Sequence, residues 1–185
     1  MVCGGDLRLS YIELHAASAF SFLDGASLPE ALIDACHELE MPAMALLDRD
    51  GVYGSARFHQ AGKKAGVRAH VGAEISMSSG CALPVLALNR TGYQNLCRLL
   101  TESKLRASKG TATVSEENLR PYSGGLVCLT GGEYGPLPHA IRTSGFEGGV
   151  HTVERLVEIF GRDQVYVELQ RHMLREGEAV NQQAV

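Results

Sequence analysis

The feature that most constrains this chain is an alternation of short apolar runs, each closed by a polar turn, with longer stretches whose apolar residues recur every three or four positions. Ala43 to Leu47 is near-continuous in apolar residues and too short for a typical helix, so it reads as a strand covered on both faces. Tyr11 to Leu14, a strand within Val67 to Ile75, Pro84 to Leu88, Leu126 to Thr130 and Val165 to Leu169 bring the count to about six. Between them lie the helical stretches. Leu28, Leu32, Ala35, Cys36 and Leu39 form one stripe, entered through Ser27 and Glu30 at capping-box spacing with Pro29 in the first turn. A helix from about Gly54 to Lys64 is closed by Gly66, and one from about Gly92 to Leu105 turns Tyr93, Leu96, Leu99 and Leu100 to the core. Arg106 to Thr113 reads as a loop and Ser115 to Leu119 as a short helical turn. Val150, Val153, Leu156, Val157 and Phe160 mark a further helix ended by Gly161, and Glu176 begins another.

Strand–helix alternation predicts an α/β fold with a parallel sheet built from right-handed crossovers. In such folds ligand sites gather at the carboxyl ends of the strands, where this chain places several of its His, Asp, Arg and Glu residues. A helix begun at Glu176 ordinarily leads into another strand, so the sheet is expected to be incomplete at its C-terminal side. The net charge of -4 argues against a surface that grips nucleic acid by neutralising phosphates, so any DNA handling falls to other parts of a larger protein. The five cysteines are odd in number, lack C-x-x-C spacing and follow no secretory signal. Cys36, Cys97 and Cys128 sit in apolar runs as small packing residues, so a reducing cytoplasm is the expected setting. No stretch approaches the roughly 18 apolar residues of a membrane span.

His15, Asp24, Asp48, Glu74 and His172 are ligand-type residues near strand ends that could converge on a zinc or manganese ion. Ordinary turn chemistry competes with that reading. Asp24-Gly25 and Asp50-Gly51 are common turn dipeptides, and His172 could simply cap a strand end. His59, His70, His139 and His151 fit no ligand pattern and read as surface residues, while Met41, Met44 and Met77 read as packing.

Several motifs in order carry a resemblance. Residues 13–27 (Glu-Leu-His-Ala-Ala-Ser-Ala-Phe-Ser-Phe-Leu-Asp-Gly-Ala-Ser) are followed by 45–54 (Ala-Leu-Leu-Asp-Arg-Asp-Gly-Val-Tyr-Gly) and by Gly72-Ala73-Glu74. Then come 92–100 (Gly-Tyr-Gln-Asn-Leu-Cys-Arg-Leu-Leu), 129–132 (Leu-Thr-Gly-Gly) and 166–172 (Tyr-Val-Glu-Leu-Gln-Arg-His). This order closely resembles the PHP (polymerase and histidinol phosphatase) domain, in particular the N-terminal domain of bacterial error-prone DNA polymerase III alpha subunits. The resemblance implies a distorted (β/α)7 barrel spanning 11–185 but lacking its last strand or strands, with 1–10 as an extension. It also implies a parent protein that performs damage-tolerant DNA synthesis in replication and repair. The expected partners are the remainder of the polymerase chain, a replication or repair protein, and a second copy through unpaired edges; no membrane is expected.

In active members of that family, His, Asp and Glu side chains hold metals that activate water against phosphoesters. The resemblance carries His15, Asp24, Glu74 and His172 over as ligand positions. It also marks two departures. The opening His-x-His has Ala17 in its second place, and the Asp-His of the second motif has Arg49, a permanent cation with no lone pair to give. Gly131 and Gly132 stand where some members carry a further ligand, and the closing Asp-x-His has no counterpart in the sequence. Arg49 could instead pair with Asp24 or Glu74 through its planar fork, or point to solvent from its turn. The implied role is a structural or partner-docking domain with a degenerate site and at most one zinc or manganese. The alternatives are a stand-alone metal-dependent phosphoesterase and a pure interaction module.

Overall fold

The computed structural model describes residues 11–171 and 175–185. Six strands, β1 (Glu13–Ala16), β2 (Ala43–Arg49), β3 (Arg68–Ser76), β4 (Ala82–Ala87), β5 (Leu126–Leu129) and β6 (Val165–Tyr166), form one sheet in sequence order. Helices α1 (Pro29–Glu38), α2 (Ser55–Ala65), α3 (Arg90–Arg106), α4 (Glu116–Leu119), α5 (Pro136–Phe160) and α6 (Arg175–Ala184) connect and flank it as a half-barrel.

The all-parallel expectation fails at one strand. β4 runs antiparallel to both β3 and β5, while β1–β2, β2–β3 and β5–β6 are parallel. The reason lies in Met77–Cys81, a connection too short to carry a crossover helix, which turns back through Gly80 at φ 85°. With only β4 reversed, the other five strands still point their carboxyl ends the same way. That common end is where the candidate residues collect.

Ala43 through Asp48 are all buried, as a strand covered on both faces must be. Ile33, Cys36, Met44, Leu46, Phe58 and Val67 make one core between α1, α2 and the sheet. A larger one joins Ile75, Leu83, Val85, Leu96, Leu99, Leu126, Cys128 and Leu156. Cys36 and Cys128 lie fully inside, and burial pushes the Cys128 thiol up to about 12, so it packs as an inert hydrophobe. Among the described residues no helix is long and apolar enough to cross a membrane.

Local signals account for most helix ends. Gly66 closes α2 at φ 76°, Ser115 caps α4 by accepting the Asn118 N–H, and Gly161 closes α5. The capping box at Ser27 does not form. Pro29 forces the residue before it into an extended conformation, so Leu28 takes the N-cap position with no side-chain cap, and Glu30 pairs with Arg57 instead. α3 starts two residues earlier than Gly92 because the Asn89 side chain accepts the Gly92 N–H. α5 begins at Pro136, well ahead of the stripe read from Val150, and its two halves meet at a kink at Gly145. β6 ends at Tyr166 rather than Leu169 because a side chain takes over the pairing: Glu168 N–H donates to Thr130 Oγ1 at 2.9 Å.

Gly92 is a point of close approach. A Cβ built there would lie 1.8 Å from the Gly125 carbonyl oxygen, which also accepts the Leu88 N–H and so locks the end of β4, the start of α3 and the start of β5 together. Gly92→Ala is expected to lose at least about 2 kcal/mol of unfolding free energy by overpacking, read as a lower urea midpoint.

Candidate functional site

Two neighbouring strands build the centre of the site. Arg49 and Glu74 are Cα partners in the β2–β3 register, so their side chains leave the sheet side by side. Arg49 Nε and Nη2 both donate to Glu74 Oε2, at 3.2 and 3.0 Å. Its Nη1 lies 3.4 Å from Asp24 Oδ2, so one guanidinium reaches both carboxylates. On the other side of Glu74, His15 Nε2 is 3.6 Å from Glu74 Oε1, and His15 Nδ1 is 2.7 Å from Glu168 Oε1. Gln170 Nε2 donates to the same Glu168 oxygen at 2.7 Å. His15, Glu74 and Glu168 are largely buried, whereas Arg49 and Asp24 form the exposed rim.

The electrostatics follow from these contacts. Burial alone would lower the His15 pKa, but the hydrogen bonds to Glu168 and Glu74 outweigh it and raise it to about 9. Burial would likewise raise Glu74, but His15 and Arg49 beside it hold its carboxyl below the usual range. Burial would lower Arg49, but the hydrogen bond to Glu74 and the neighbouring Glu74, Asp24 and Asp50 charges raise it.

Asp24 is held in reach by a buried anchor. Asp48, 1% exposed, accepts from the Ser18 N–H at 2.8 Å and from the Ser18 and Ser21 hydroxyls at 2.9 Å. The Ser21 hydroxyl also accepts the Arg49 N–H. Asp48 is therefore spent on the loop between β1 and α1 and takes no part in the cluster. Asp50 is similarly used, accepting the Ser76 N–H at 2.8 Å and the Ser76 hydroxyl at 2.6 Å.

Of the residues expected from the sequence, His15 meets Glu74, and Asp24 joins them only through Arg49, which contacts both acids from the exposed rim. Ala17 brings only a methyl group to the loop. His172 lies outside the described residues. Glu168 is an addition to that set: the sequence places it in the 166–172 motif without a ligand role, and it is separated from His15 by 153 positions. His59, His139 and His151 are exposed and His70 is half-buried, none of them near this cluster.

A metal fits these side chains poorly. Among the described residues no three His, Cys, Asp or Glu are grouped to hold one. Glu168 Oε2 is a buried acceptor with no hydrogen-bond partner among them, which is the one feature a cation would satisfy. Against it, both His15 nitrogens already face carboxylates, and a guanidinium sits on Asp24 and Glu74.

Residues 13–172 match the family described as PHP domain. This chain is a PHP domain protein. It is 38% identical over 174 residues to an error-prone DNA polymerase of Mycolicibacterium paratuberculosis, an alignment covering 88% of this chain and 16% of that protein. An error-prone DNA polymerase of Corynebacterium efficiens is 35% identical over 91% of the chain and 14% of its own length. A DNA polymerase III subunit alpha of Borreliella burgdorferi is 30% identical over 96% and 17%. The PHP chain thus spans about a sixth of the relatives it matches. Among solved structures, a putative metal-dependent phosphoesterase from Bifidobacterium adolescentis shares the fold at TM-score 0.52 and 12% identity, covering 86% of each chain.

Two outcomes are expected. His15 titrates in the folded PHP domain near pH 9, seen by imidazole NMR, and Glu168→Gln moves that midpoint down. Because the folded pKa lies above the unfolded value of 6.5, the stabilisation is complete below pH 6.5 and is lost as pH rises through about 9. Asp48→Ala strands three donors in a buried place and should lower unfolding free energy by about 3 kcal/mol or more in denaturant titrations.

Proposed function

We propose that this chain is the PHP part of an error-prone DNA polymerase III alpha subunit, working in damage-tolerant synthesis. In that protein it serves as a scaffold or docking domain and does not hydrolyse phosphoesters. The single observation that carries the second statement is Arg49. Its guanidinium contacts Asp24 and Glu74, two of the ligand positions, at 3.4 and 3.0 Å. A guanidinium neither coordinates a cation nor tolerates one at that distance. With Ala17 in place of a second imidazole, the remaining donors are too few for a multi-metal centre. The polymerase assignment is supported by the named relatives and by the order of motifs.

Polymerisation itself, and contact with DNA, belong to other regions of such a protein, in keeping with the net charge of -4 here. The cytoplasm is the setting that suits a DNA polymerase and the free thiols of Cys36, Cys81, Cys97 and Cys128. Residues 11–185 act as one domain, and among the described residues β1 and β6 are the outer strands of its sheet. The edge strands leave Tyr11, Ile12 and Leu14 exposed on one side and Tyr166, Val167 and Leu169 on the other. That apolar margin suits the remainder of a polymerase chain, and in its absence a second copy.

Elemental analysis of the purified chain tests the reading, paired with hydrolysis of a generic phosphomonoester in manganese and in zinc. Substoichiometric metal and no turnover are expected. One or more equivalents of tightly held zinc or manganese, together with hydrolysis that a chelator abolishes, would restore the phosphoesterase.

A further inference from the structure

We infer that the chain supplies its own cation where a metal would otherwise gather the strand ends, and that this ion-pair relay, centred on Arg49, ties the two edges of the open sheet together. The inference deepens the scaffold reading above and rests on it.

The contacts form a continuous path. Asp24, on the loop after β1, meets Arg49 at the end of β2; Arg49 meets Glu74 on β3; Glu74 meets His15 on β1; and His15 meets Glu168, beyond β6. β1 and β6 are the terminal strands of the sheet order and have no ladder between them. The 2.7 Å approach of His15 to Glu168 therefore joins by side chains two edges that the main chain leaves apart. Thr130 Oγ1, accepting the Glu168 N–H, fixes the far end of the path to β5.

Three carboxylates converge here, and without a positive partner they would repel each other in a partly dry environment. A metal answers that repulsion by drawing oxygens radially around one point. A guanidinium answers it with directional donors in a plane, which can serve acids on different elements at once. Arg49 has the register for this, because its strand is paired residue for residue with that of Glu74. Its charge is permanent, so the clamp needs nothing from solution.

Thermal unfolding of the purified 185-residue chain, in EDTA and in millimolar manganese or zinc, tests this. The wild type is expected to unfold at one temperature in all three. Arg49→Gln should unfold about 3 °C lower in EDTA and regain at least half of that with manganese or zinc, since the freed acids then need a cation. Arg49→Lys keeps the charge but loses the fork, so it should drop by less and stay indifferent to metal. A glutamine variant that unfolds like the wild type overturns the inference, as does a drop that no cation reverses. Should Arg49→Gln fail to fold, a lysine variant that gains from manganese overturns it equally. A wild type stabilised by stoichiometric metal removes the scaffold reading underneath. Loss of the variant effects with a metal-indifferent wild type removes the clamp alone.

Discussion

Asp48 is a carboxylate buried inside the protein with no cation against it among the described residues, and the geometry of the site end follows from how its oxygens are satisfied. Three donors do so, all from Ser18 and Ser21. A buried anion served by backbone and hydroxyl donors is stable only while those donors stay in place, so it fixes the loop that provides them. That loop carries Asp24. Successive strand residues point to opposite faces, so Asp48 turned inward to the loop leaves Arg49 turned the other way, toward Glu74. The Ser21 hydroxyl then accepts the Arg49 N–H and couples the two. One charge thus sets both the position of an acid on the rim and the direction of the cation that meets it.

Much of the architecture was readable because it rests on local periodicity. The buried β2 run, the α1 stripe, the stop of α2 at Gly66 and the α3 core face each depend on residues within a dozen positions. The losses came where distant or competing interactions decide. β4 looks like any other apolar strand, and only the length of Met77–Cys81 reveals its reversal. Ser27 and Glu30 have the spacing of a cap, but Pro29 dictates the conformation of Leu28 before it and Arg57 takes the glutamate. The first half of α5 was hidden by Pro136, Pro138 and Gly145, residues that usually break a helix but here start it and kink it.

The site divides along the same line. His15, Asp24, Glu74 and Arg49 are found from the sequence because short ordered motifs contain them. Glu168 lies in such a motif too, at 166–172, but its part in the site depends on His15, 153 positions away, which no local pattern shows. Ser18 and Ser21 were passed over for another reason. Hydroxyls near a candidate ligand look incidental, yet here they consume Asp48 and remove it from the set of residues free to bind an ion. Which carboxylates remain free is a property of the hydrogen-bond inventory, and composition near a strand end does not determine it.

A bound divalent ion and an arginine can neutralise the same acids, but they differ in what else they permit. The ion keeps coordination positions for water and lowers the pKa of that water toward neutrality, which makes a nucleophile. The guanidinium has no vacant orbital to offer; it spends its charge on the acids it already touches. Asp24 and Glu74 under Arg49 are therefore neutralised by directional donors that tie the loop after β1, β2 and β3 together. The exchange also alters the response to conditions, because a coordinated ion is lost to chelators and to acid, whereas a guanidinium stays charged throughout the working range of a protein. The exposed rim position of Arg49 leaves its ion pairs open to screening by salt. The buried half of the path, from Glu74 through His15 to Glu168, is screened least, and it is the half that spans the two sheet edges.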